Sequence, residues 1–98
     1  MANKTDKDIS GTSFHGITFN ASVNEITEMF GEPSYEDNYG DDKVNFEWNM
    51  ETIDGDMFTI YDWKEYKKLD LNEIVEWHIG AESRSISVQA LDEILELL

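Results

Sequence analysis

The chain has no cysteine, one proline and only seven lysines and arginines among 98 residues. The first absence excludes a disulfide framework, a thiolate nucleophile and a Cys-ligated zinc site. It also fits a reducing compartment, so a cytoplasmic location is expected. The single proline, Pro33, leaves nearly the whole chain free to form helix or strand. No apolar run approaches the roughly 20 residues of a membrane-spanning helix. Residues 1–8 lack the apolar stretch of a secretion signal, and no membrane association is expected.

The shortage of bases is set against 22 Asp and Glu, which gives a net charge of −15. A small domain with that field repels free nucleic acid and anionic membranes and attracts basic protein surfaces. The excess is uneven. Between Asn20 and Asp62 there are twelve acids and one base, Lys43, which is more than solubility needs.

Motifs of strong chemical meaning are missing too. There is no His-Glu-x-x-His, no Gly-rich phosphate loop and no locally marked serine nucleophile. Asp37 to Asp42 offers several carboxylates but not the regular oxygen ladder of a calcium loop. No cofactor and no metal site is expected.

What is present is a core. The sequence is 40% hydrophobic and 12% aromatic, too apolar for a disordered acidic tail. Residues 1–13 read as a flexible N-terminal lead-in and residues 14–98 as one domain. Alternation over Phe14 to Asn20 predicts a short strand. Ser22 and Glu25 form a capping box, and Val23, Ile26, Met29 and Phe30 recur at helical spacing up to Gly31 and Pro33. A helix over 23–30 follows. Val44, Phe46, Trp48 and Met50 alternate with polar residues, Asp54-Gly55 marks a hairpin, and 57–63 is the return strand. Both faces of that strand are heavy, which places it centrally. A third strand of the meander is expected over 74–79, ended by Gly80. The last helix reads from an N-cap at Ser87, with Ile86 and Leu91 as a hydrophobic staple. Its apolar stripe would be Val88, Leu91, Leu95 and Leu98, widened by Ile94 and Leu97, with Asp92, Glu93 and Glu96 outward. The fold class is α+β: an antiparallel sheet of about four strands with two helices packed on one face, in the order β-α-β-β-β-α.

Three functional readings compete. The first is a non-enzymatic protein that binds a basic partner through Glu25, Glu28, Glu32, Glu36, Asp37, Asp41, Asp42, Glu51, Asp54 and Asp56. Carboxylates on a compact surface can occupy a site evolved for nucleic-acid phosphates, with the same salt sensitivity. The second is a small-ligand binder for a nucleotide-like molecule, with Tyr61, Trp63, Lys64, Tyr66, Trp77 and His78 as its site. An uncovered aromatic sheet face is a candidate binding surface, although a second copy of the chain would cover it equally well. The third is an acid/base enzyme using His78 with Asp62 or Glu76. A carboxylate beside an imidazole is also the ordinary way to satisfy a half-buried histidine.

The segments Phe30-Gly31-Glu32-Pro33, Lys43-Val44-Asn45-Phe46-Glu47-Trp48, Phe58-Thr59-Ile60-Tyr61-Asp62-Trp63-Lys64 and Trp77-His78-Ile79-Gly80 resemble small acidic proteins encoded by bacteriophages, over about residues 17–81. No functional residue comes with this resemblance. What it implies is context: an inhibitor of a host enzyme or defence protein, acting by stoichiometric binding in the host cytoplasm.

Overall fold

A computed structural model describes all 98 residues. The elements run β1 (Asn3–Lys4), β2 (Ser13–Ala21), α1 (Val23–Phe30), β3 (Tyr35–Glu36), β4 (Phe46–Glu51), β5 (Met57–Tyr61), β6 (Val75–Ala81) and α2 (Arg84–Leu95). All strand pairs are antiparallel, in the order β1-β4-β5-β6-β2, with β3 also on β4. This is the expected α+β class, with six strands instead of four. The two extra strands are two-residue pieces that share the outer edge of β4.

The pleat decides which side chains are inside. Phe46, Trp48 and Met50 of β4, Phe58 and Ile60 of β5, and Val75, Trp77, Ile79 and Ala81 of β6 stand on one face and are buried. They pack with Phe19 and Ala21 of β2, Val23 and Ile26 of α1, and Ala90 and Ile94 of α2. Both helices therefore lie on this face. The two buried indoles meet edge to face, 5.5 Å between centroids. Each finds a backbone acceptor: Trp48 donates to Gly31 O at 2.9 Å and Trp77 to Ala21 O at 2.8 Å. Both acceptors flank α1, so the two bonds fasten that helix to the sheet.

Helix α1 forms where expected because its signals are local. Ser22 Oγ accepts from Glu25 N–H, and the Glu25 carboxylate accepts from Ser22 N–H. Gly31 then ends the helix at φ 87°, a value that a side chain would resist.

Other expectations are corrected. The N-cap of α2 is Ser83, whose hydroxyl accepts from Ile86 N–H. Ser87 lies inside the helix and donates back to Ser83 O, so Ile86 and Leu91 do not form a staple. The buried stripe is Ser87, Ala90 and Ile94, with Glu93 beside them, while Val88, Leu95 and Leu98 are exposed. Small side chains at 87 and 90 let the helix lie close to the sheet. Glu93 turns inward because Ile53 N–H and Gln89 reach its carboxylate at 3.0 and 3.1 Å. Gly80 does not end β6; it pairs with Thr59 on one side and Phe14 on the other. The segment read as a flexible lead-in contributes β1, and Ala2 joins the core.

The acidic connector is not simply a solvated turn. Asn38 exchanges two hydrogen bonds with the backbone of Leu69, at 3.0 and 2.7 Å. Asp62 is fully buried and accepts from Asn45 N–H, Asn45 Nδ2 and Phe46 N–H at 2.8 to 3.0 Å. Asn45 in turn donates to Lys67 O. This network joins the start of β4 to the chain leaving β5.

Candidate functional site

The sheet face opposite the helices has no helix packed on it and is partly exposed, although Thr59 at its centre is buried. Strand register sets Tyr35, Glu47, Tyr61, His78 and Thr18 in one row across five strands. Asn49, Thr59, Gly80 and Phe14 form the next row. Gly80 matters to this surface: a Cβ there would come within 2.6 Å of Thr59 Oγ1 and 3.4 Å of the Tyr61 ring.

Phe14 stacks on His78, and Tyr61 lies 5.5 Å from the imidazole. Trp63 completes the group, 6.1 Å from Tyr61 and 6.5 Å from His78. Lys43 Nζ and Lys64 Nζ stand over the Trp63 ring at 5.8 and 5.6 Å, within cation–π range. The two loops carrying them, before β4 and after β5, are joined by Lys64 N–H donating to Lys43 O at 2.7 Å. Lys64 and Tyr66 both have positive φ, 55° and 50°, a backbone strain that the surrounding contacts must hold.

Of the six residues expected for a ligand site, Tyr61, Trp63, Lys64 and His78 come together. Tyr66 is exposed, with no aromatic partner among them. Trp77 belongs to the other layer: adjacent residues in a strand point to opposite faces, so Trp77 and His78 cannot share one. Phe14 and Lys43 were missed. The signal for Phe14 was its place in the first strand. The signal for Lys43 was its isolation among acids.

The centre of this face disfavours charge. Burial pushes the Glu47 carboxyl up, and burial followed by the nearby Glu47 charge pushes the Tyr61 phenol up. Burial holds the His78 imidazole below its ordinary value, against the opposing pull of Glu76, Asp62 and Glu65. The acid/base arrangement expected at His78 forms only in part. Glu76 Oε1 is 3.9 Å from His78 Nε2. Asp62 is committed to Asn45 and Phe46 in the interior and does not share the face.

The ten acids expected at a partner surface fall into three places. Glu25 and Glu28 are on α1, with Glu32 just beyond it. Glu36 is in β3 at the start of β4, and Asp37, Asp41 and Asp42 follow in the connector. Glu51 ends β4, and Asp54 and Asp56 lie in the hairpin that follows it. Five residues of extended chain, about 17 Å, separate the last two groups. Only Glu51 has a base within 4.0 Å, Lys7 at 2.9 Å. Glu25 caps its own helix, and Asp54 accepts from Gln89. Glu28, Glu32, Glu36, Asp41 and Asp56 are exposed, with no side-chain partner.

A cleft of about 740 Å³ opens between Glu36–Tyr39 and Lys68–Leu71, away from the aromatic group. Nowhere do three or more His, Asp or Glu side chains converge as a metal site. No helix is long and apolar enough to cross a membrane. No protein-family model, curated protein or solved structure matches the chain.

Proposed function

We propose that the protein is a non-enzymatic binding protein that engages a basic surface of another protein, in the manner of a phage-type inhibitor that occupies a nucleic-acid-binding site. One observation carries this reading: of the ten carboxylates named above, nine have no cationic partner within the fold. An acidic surface that the chain leaves unneutralised keeps its field for an incoming partner. The spread of these acids over α1, the connector and the hairpin suits an extended basic surface better than a point ligand. Capture of a partner from bacterial lysate at roughly 50 mM and 500 mM salt tests it, since the Debye length shrinks from about 14 to 4 Å over that range. Capture should fade at high salt, and the variant E28Q/E32Q/D41N/D56N should capture less at low salt. Capture indifferent to both would overturn the proposal.

A second reading has its own observation. Phe14, His78, Tyr61 and Trp63 form a continuous aromatic group edged by two lysines, which suits an anionic aromatic molecule such as a nucleotide. Thermal-shift titration with cyclic nucleotides separates this reading from the first. A shift abolished by Trp63→Ala would favour it, and no shift with any nucleotide would remove it.

A further inference from the structure

Glu47 is the one half-buried carboxylate on the open face that nothing in the protein answers. It has no hydrogen-bond donor to its side chain and no base within 4.0 Å. Its neighbours across β3 and β5 are Tyr35 and Tyr61, and directly opposed residues have Cβ atoms about 5 Å apart. An unanswered, half-open carboxylate thus stands on β4 with a tyrosine on either side.

The chain's own cations do not serve it. Lys43 and Lys64 are drawn to Trp63, and Lys7 to Glu51. A half-buried carboxylate left unpaired is unfavourable, so Glu47 is suited to an outside donor. The chemistry is specific. Guanidinium is planar, supplies five N–H donors, pairs with a carboxylate through two of them and stacks on aromatic rings. An ammonium is a compact, strongly hydrated charge that does none of these as well.

Resting on the reading that the partner is basic, we infer that Tyr35, Glu47 and Tyr61 form a seat for one arginine side chain of that partner. The bound guanidinium donates to the Glu47 carboxylate and lies against the tyrosine rings. The acids elsewhere then supply long-range attraction, and this seat supplies register. The charge of the guanidinium opposes the effect of burial, which holds the Glu47 carboxyl above its ordinary value.

The test is an NMR titration of the intact protein with a capped Gly-Arg-Gly peptide, a capped Gly-Lys-Gly peptide and polyarginine. The arginine tripeptide should move the amide signals of β3, β4 and β5 saturably, and should lower the apparent pKa of Glu47 followed by its carboxyl carbon. The lysine tripeptide should bind several-fold more weakly, and Glu47→Gln should weaken the arginine tripeptide by about tenfold, as for loss of a charge-assisted pair. Glu47→Gln keeps the shape of the side chain and removes a half-buried charge, so its spectrum should remain that of the folded protein. Tripeptide shifts scattered over α1 and the connector, or unchanged in Glu47→Gln, would overturn the seat. Salt-sensitive polyarginine binding retained in Glu47→Gln would then leave the basic-partner reading standing. Failure of polyarginine to bind the wild-type protein at low salt would count against both.

Discussion

Phe14 lies flat on His78, the ring centroids 4.2 Å apart and the planes 22° from parallel. The two residues are not opposite each other in the ladder. Phe14 pairs with Gly80, His78 pairs with Thr18, and the register shift between Phe14 and Thr18 brings the rings together. The stack therefore depends on the irregularity in β2.

One consequence concerns pH. The folded state holds His78 below its ordinary value of 6.5, chiefly by burial. The unfolded chain then binds the proton more readily than the folded one between the two values. His78 therefore makes stability fall as pH drops below about 6.5 through the lower folded value. Glu76, Asp62 and Glu65 oppose this. Glu47 works the other way: its raised carboxyl gains stability as pH falls toward the ordinary carboxylate range. Thermal melts from pH 7.5 to 5 should show a decline that His78→Phe flattens and Glu47→Gln makes steeper. A wild-type profile identical to that of His78→Phe would refute the assignment.

Removing the buried acceptor at Asp62 should be among the most damaging single changes. Asp62→Ala strands two backbone N–H groups and the Asn45 amide in the interior. Unsatisfied buried donors of this kind amount to about 3 kcal/mol or more. Urea unfolding should show that loss, while Asp62→Asn, which keeps one acceptor, should lose less.

Gly80→Ala is expected to destabilise by about 1–3 kcal/mol through overpacking, because its Cβ would meet Thr59 Oγ1 at 2.6 Å. Thr59→Ala in the same chain should recover much of the loss, giving a large coupling in a double-mutant cycle. Additive effects in the cycle would show that the clash is not the cause.

Deleting residues 1–4 should also weaken the fold. Ala2 is in the core, Asn3 and Lys4 pair with Glu51 and Met50, and Lys4 Nζ donates to Glu32 O. A melting temperature unchanged by the deletion would return the segment to the role of a loose lead-in.

These particulars also explain how far the sequence could be read. Helix α1 was legible to the residue because the Ser22–Glu25 box and Gly31 act within one turn of the chain. The strands of the meander were legible because Val44 to Glu51 and Val75 to Ile79 alternate strictly. The edge strands β1 and β3 were not, since two residues carry no period. Helix α2 misled because its large residues, Val88, Leu91 and Leu95, form a convincing stripe, yet the sheet accepts the side with Ser87, Ala90 and Ile94. That choice is made by tertiary packing, which favours small residues where a helix approaches closely. The open face was half legible: Tyr61, Trp63 and His78 followed from alternation, whereas Tyr35, Glu47 and Phe14 joined them only through cross-strand register.

The short strands β1 and β3 have a further consequence for the protein in a crowded solution. Together they occupy the outer edge of β4, and the opposite edge, β2, is broken by its register shift. Neither side of the sheet offers another chain a long, straight row of free backbone donors and acceptors. Growth of the sheet into ribbons or fibres has no template at either end.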